Sequence, residues 1–343
     1  MWNRLKTTEK PIVLYGMGNG ADRVLDELEK RGITASGVFA SDGFVRGHSF
    51  RGFPVTTYAA AKERFGEMVV LVCFGSSLPD VMQRIREIDA EQELYMPDLP
   101  VCGGDLFDRE MAEAHTEELS FIRSRLADEA SVRCFDETIA YKLSGKISHL
   151  SACETSPDEA YENILKLTDD ETYLDLGAYN GDTVAEFLSH ANGYRRIIAL
   201  EPDPKNYKKL IKNTEELKNI RCINAGIYKE KCELSFAAHA GRNSAVGKGG
   251  KIIQMESVDS LLMGEPVSYI KMDVEGQEQN AILGAAETIR RHKPKMLISC
   301  YHRSEDLFAL PMEVFKLRDD YKLYMRHYPY FPAWTSHTIS SDL

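Results

Sequence analysis

Tryptophan occurs twice in the 343 residues, proline 13 times and cysteine seven times. The cysteines stand at 73, 102, 134, 153, 222, 232 and 300, and no two have C-x-x-C spacing. Their odd number and scatter argue against a disulfide framework or a zinc site. The longest apolar run, MVVLVCF at 68–74, has strand length. It falls far short of the ~20 residues that a membrane helix needs. The start, MWNRLKTTEK, carries no apolar signal-peptide core. A basic excess is missing too: 42 Lys and Arg against 53 Asp and Glu leave a net charge of −11. Nucleic-acid binders usually present a basic face, so the expected partners include neither nucleic acid nor membrane, and the expected compartment is the cytoplasm.

What is there suits a globular protein. Hydrophobic residues make up 43% and charged residues 28%, enough apolar surface for a sizeable core. The length suggests about two domains. Two segments read as strand, glycine turn and amphipathic helix: IVLYGMGNGADRVLDELEKRG from Ile12 and TYLDLGAYNGDTVAEFLSH from Thr172. That pattern opens a doubly wound α/β unit. The stretch between them is rich in Ala, Glu, Leu and Arg at helical spacing. The expected fold class is therefore α/β. Two Rossmann-like domains, 1–103 and 169–343, are joined by a helical connector, 104–168. In the second domain, one helix is expected to run from the D-V-E-G-Q-E segment to about Arg291.

The second glycine turn is the most informative stretch: Asp175, Leu176, Gly177, Ala178, Tyr179, Asn180, Gly181 and Asp182. A helix N-terminus favours negative ligand groups. Here, however, two carboxylates, Asp175 and Asp182, flank the glycines. They suit a ligand with positive charge, an ammonium or a sulfonium, and S-adenosylmethionine carries both. Glu201, 26 positions after Asp175, ends the next strand pattern and precedes Pro202. A carboxylate there accepts hydrogen bonds from ribose hydroxyls in this fold class. Asn224, followed by Ala225, ends the third pattern and faces an adenine edge on this reading.

Group transfer from such a ligand would benefit from a base. His302, Asp273 and Glu275 stand at predicted strand ends. His302 is the first choice, because the ordinary imidazole pKa lies near neutrality. Asp273 counts with the cofactor set as well. A hydrogen-bonded loop histidine is the rival reading for His302, and no dedicated base is another. No metal ligand is assigned. A divalent cation on Asp273, Glu275, Glu278 and His302 is the lesser alternative, with Glu278 read as a helix cap or ion-pair partner. The stretch Arg326, His327, Tyr328, Tyr330 and Trp334 either packs on the core or stacks on a sugar ring. The loop 241–244 is a candidate acceptor lid.

The segments LDLGAYNGDT, ALEPDP, NAGIY, IKMDVEGQE, SCYHR and YKLYMRHY, in that order, resemble the FkbM-type S-adenosylmethionine-dependent methyltransferases. The resemblance covers about 172–328. It implies a seven-stranded methyltransferase sheet with an antiparallel last strand, and O-methylation of a sugar, glycan or polyketide-like acceptor. It also implies that Asp175, Gly177 and Gly181 cradle the methionine end, Glu201 holds the ribose and Asn224 lies beside the adenine.

The first glycine turn, 16–21, fits a relaxed G-x-G-x-x-A pattern. Residues 10–80 resemble the nucleotide-sugar-binding domain of some bacterial sugar acetyltransferases. A ligand-free scaffold with a homodimer surface stands beside that reading. The alternative functions are a non-catalytic nucleotide-sugar or adenosyl-ligand binding protein and, less favoured, an NAD-dependent oxidoreductase.

Overall fold

The structure, a computed structural model, describes residues 1–237, 245–246, 251–332 and 335–340. Apolar runs bounded by glycine turns become the central strands of two sheets. The first contains β1 (Ile12–Tyr15), β2 (Gly37–Phe39), β3 (Ser49–Phe50), β4 (Phe53–Thr56), β5 (Val69–Val72) and β6 (Glu93–Tyr95), in the order β3-β4-β2-β1-β5-β6. All its pairs are parallel except the β3–β4 hairpin. Strands β1 and β5 are buried at every position, as expected where helices cover both faces of a parallel sheet.

The second large sheet contains β7 (Thr172–Leu176), β8 (Arg196–Leu200) and β9 (Ile220–Ile223). Next come the short β10 (Gly226–Ile227), β11 (Cys232–Ala237), β12 (Ala245–Val246) and β13 (Lys251–Glu256), which form a small sheet of their own, β10-β13-β11-β12. The large sheet resumes with β14 (Tyr269–Met272), β15 (Lys295–Ser299), β16 (Lys322–His327) and β17 (Thr335–Ser340). Its order is β16-β17-β15-β14-β7-β8-β9. The last strand, β17, runs antiparallel to both neighbours. Order reverses between β7 and β14, and such a switch point opens a crevice at the carboxyl ends of the strands.

Helices Arg109–Ala114, Thr116–Arg125, Glu129–Ser144 and Ile147–Cys153 form the stretch between the sheets. Helix Glu129–Ser144 serves two cores. Its Cys134 and Phe135 pack with the second sheet, and Tyr141 packs with the first. Asp128 caps this helix through the Ser131 amide at 2.7 Å. Asp128 also pairs with Arg326, which is 2% exposed and further bound to Glu159 at 2.7 Å and to Ser131. Arg326→Met would leave two carboxylates facing each other without their cation. Both are partly solvated, so the expected loss is about 2 kcal/mol rather than the full cost of breaking a buried pair. Denaturant unfolding monitored by circular dichroism measures it.

The fold departs from the sequence reading at two places. The helix expected to run on to about Arg291 is split into Glu278–Leu283 and Ala286–His292. A Cβ on Gly284 would meet the Tyr228 carbonyl at 2.3 Å, so the chain bends where only glycine fits. Strand β13 was not expected at all; its β pairing comes from the distant β11 and β10. The aromatic tail follows the core-packing reading: Arg326 and His327 are buried, and Phe331 fills the core of the first sheet. Tyr330 lies against Gly75. Trp334 and the loop 241–244 lie outside the described residues. Among the described residues no helix is long and apolar enough to cross a membrane.

Candidate active site

Strand β7 ends in Asp175 and Leu176, and Gly177 then turns the chain at φ +92°. A Cβ here would stand 1.9 Å from the Asp273 carbonyl oxygen. Glycine is therefore what lets the ends of β7 and β14 approach. Gly177 and Ala178 donate to the Leu200 carbonyl, and Gly181 donates to Ala178. Tyr179 takes φ +48°. Asn180 Oδ1 accepts from the Asp182 amide at 3.1 Å, and the Asn180 carbonyl accepts from Asn213 at 2.9 Å. The turn is thus held by its own backbone before any ligand arrives.

Asp175 is fully buried. Its Oδ2 accepts from the Thr183 hydroxyl, and its Oδ1 has no hydrogen-bond partner among the described residues. Burial is the largest influence and pushes its pKa up to about 6, while the charge of Lys271 opposes that. Lys271 lies directly opposite Asp175 in the β7–β14 register. Glu201 is 6% exposed and accepts from the Asp203 amide at 2.8 Å. Burial raises its pKa to about 7. A carboxylate buried with so few partners is costly, and a cationic or hydroxyl-bearing ligand relieves that cost. Asn224 spends its amide nitrogen on the carbonyls of Glu201 and Pro202, at 2.9 and 3.1 Å. What it offers an adenine is therefore its side-chain oxygen. Ala225, next in the chain, is buried.

The second group of side chains gathers beyond β14 and β15. His302 is 1% exposed. Its Nε2 lies 3.4 Å from Asp273 and 3.6 Å from Glu275, and its Nδ1 lies 2.9 Å from Glu278. Burial alone would lower its pKa, yet the carboxylates, Glu278 foremost, raise it to about 10. The imidazole is therefore protonated near neutrality and lacks the lone pair a base requires. This corrects the choice of His302 as base. Asp273 and Glu275 are the more open carboxylates of this group, with side chains 30% and 32% exposed. Glu275 sits at φ +52° and Gly276 at +84°, a turn that swings the Glu275 side chain back over the strand ends.

The sequence reading missed four neighbours. Thr183 bonds Asp175 from the first turn of helix Asp182–His190. Tyr301 donates to Asp273 at 3.2 Å. Lys271 lies buried between the charges of Asp175 and Asp273. Cys102 donates its amide to the His302 carbonyl at 3.1 Å and sits where a Cβ of Gly276 would reach. Only Thr183, following the second glycine so closely, had a local signal.

In the first glycine turn, protein closes on two of the three glycines, while the third, Gly18, faces open space. A Cβ at Gly16 would stand 2.6 Å from the Phe74 ring, and one at Gly20 would stand 2.0 Å from the Cys73 carbonyl. These glycines serve close packing of helix Asn19–Lys30 on β5. Burial pushes the Cys73 thiol far up, so it is inert.

A sheet of this order, with a glycine turn and buried carboxylates at its switch point, defines a Rossmann-like methyltransferase architecture. Residues 175–330 match the methyltransferase FkbM domain. No curated protein matches the chain. Among solved structures, it is similar to a methyltransferase FkbM from Methylobacillus flagellatus KT: TM-score 0.74 at 20% identity, covering 96% of this chain and 90% of that one. The shared fold therefore includes the first sheet. Much weaker likenesses include an rRNA methylase from Streptococcus thermophilus, with TM-score 0.35, 12% identity and coverage of 57% and 95%. Another is fibrillarin from Aeropyrum pernix, with TM-score 0.33, 18% identity and coverage of 51% and 67%.

Proposed function

We propose that this protein moves the methyl group of S-adenosylmethionine to an acceptor hydroxyl on a sugar, glycan or secondary metabolite. The observation that carries the reading is Asp175, a fully buried carboxylate with one free oxygen beside a glycine turn. A cationic ligand fits it, and Glu201 on the adjacent strand end suits ribose hydroxyls. Gly177 and Gly181 let the turn adopt its φ of +92°, and Asn224 supplies an acceptor for an adenine amine.

Methyl transfer is an in-line displacement. The acceptor oxygen forms its bond to the methyl carbon as the carbon–sulfur bond breaks, and a neutral thioether leaves. The hydroxyl proton passes to Asp273 or Glu275, which are the half-open carboxylates of the second group. Their alignment by His302 and Tyr301 reduces the reorganisation that the step needs. Carboxylates facing the acceptor also suit a neutral polyhydroxyl compound, whose hydroxyls donate to them.

The test is turnover. The protein is incubated with S-adenosylmethionine and a panel of sugars and hydroxylated metabolites, and the demethylated cofactor and a methyl ether are sought by mass spectrometry. A methylated nitrogen or carbon product would count against the hydroxyl reading. No product and no cofactor binding would remove it.

A pH effect follows from Glu201. Ribose hydroxyls donate best to the charged carboxylate, which dominates only above a pKa of about 7. Cofactor affinity is therefore expected to rise roughly tenfold between pH 6 and pH 8. Calorimetric titration across that range measures it, and Glu201→Gln should flatten the profile.

A further inference from the structure

We propose that Asp273, Glu278 and His302 form a binding site for one divalent transition-metal ion, of the Mn²⁺ kind, at the acceptor side of the cleft. One potential ligand atom from each lies within 4.8 Å of the others. Atoms bound at ~2.1 Å to a single ion stand about 3–4.2 Å apart, so the widest pair needs to close in by about 0.6–1.8 Å. A second observation points the same way. Glu278 and His302 are each 1% exposed, yet Glu278 Oε2 and His302 Nδ1 have no aligned hydrogen-bond partner among the described residues. Buried polar atoms left in that state are rare and costly. Asp273, Glu275 and Glu278 all lie within 3.6 Å of one imidazole, so negative charge remains in excess even with the ring protonated; a bound ion displaces the imidazole proton and takes its lone pair.

The donor set selects the ion. Two carboxylates with one imidazole suit Mn²⁺ and similar metals better than Ca²⁺ or Mg²⁺, which prefer oxygen alone. Asp273 is the partly exposed ligand, so the open coordination positions face the cleft. Glu275 then remains to take a proton from an acceptor oxygen bound to the ion. That catalytic use rests on the proposed methyl transfer; the binding site itself does not.

The test uses the full chain, stripped with a chelator and titrated with Mn²⁺ while free ion is followed by electron paramagnetic resonance. One equivalent is expected to bind, and pulsed spectra should show nitrogen-14 modulation from a coordinated imidazole. Asp273→Asn and His302→Gln should each weaken binding at least tenfold. Should either variant misfold, the nitrogen modulation in the wild-type protein still decides. Failure to bind one equivalent, binding without nitrogen modulation, or affinity unchanged in folded variants would overturn the site. S-adenosylmethionine titrated into the chelator-treated protein keeps the two readings apart. If it does not bind while Mn²⁺ does, methyl transfer fails and the ion site stands.

Discussion

Asp175→Asn is expected to weaken S-adenosylmethionine binding at least a hundredfold while making the ligand-free protein more stable. The two effects have one cause. Asp175 is fully buried, and burial raises its pKa from 3.8 to about 6. A carboxyl whose folded pKa lies above its unfolded value binds more protons when folded. Stability is therefore highest below pH 4 for this group and falls as pH rises toward 6. At pH 7.5 the protein carries a buried charge whose stabilising partners, Thr183 and the nearby Lys271, do not fully offset desolvation. Asparagine keeps the shape and an acceptor oxygen for Thr183 but removes that charge. The expected gain is about 1–2 kcal/mol at pH 7.5, falling to about half of that at pH 5 and toward zero below pH 4. A cationic ligand loses its counter-charge in the same substitution, and a hundredfold loss corresponds to about 2.7 kcal/mol. Thermal unfolding with and without ligand, at both pH values, measures all of this. A variant that is less stable at pH 7.5 would show that Asp175 is a structural ion-pair residue.

Gly177→Ala is expected to be the most damaging single methyl in the second sheet. A Cβ at this position would stand 1.9 Å from the Asp273 carbonyl oxygen, and the backbone is at φ +92°. The obstacle is main chain, so no side-chain rotation relieves it. Either β14 moves away from the turn or the turn changes conformation. Both cost stability, and the sum is expected to exceed ~4 kcal/mol, in the range that marks special backbone positions. Both also separate Asp175 from Asp273, so cofactor binding should vanish in whatever folded protein remains. By contrast, Gly181→Ala meets Leu210 at 3.3 Å, the end of a side chain that can give way. It keeps the strain of its φ of +92° and should fall between wild type and Gly177→Ala. Chemical unfolding of the three proteins ranks them.

The parts of the site that could be read from the sequence are those that spacing fixes. A strand, a glycine turn and a helix put Asp175, Gly177 and Gly181 together without any long-range contact. The next strand end then places Glu201 beside them. Other parts depend on contacts between distant segments. Cys102 reaches the His302 carbonyl from the far side of the helical connector, and no local pattern announces that approach. Lys271 reads as an ordinary polar residue in IKMD. Its burial follows from its register opposite Asp175. His302 shows the same limit in electrostatic form. Its neutral reference pKa suggested a base, but the three carboxylates that charge it are assembled only by the fold. In the first glycine turn, whose pattern suggests a nucleotide, Phe74 packs against Gly16, a contact that no local pattern announces.

Hydrogen–deuterium exchange of the full chain, with and without S-adenosylmethionine, asks directly which glycine turn takes the cofactor. Slowed exchange is expected at 175–183, 201–207 and 224–226, with the amides at 16–22 unchanged. Protection confined to 16–22, or no protection in either turn at saturating cofactor, would contradict a cofactor site built on Asp175 and Glu201.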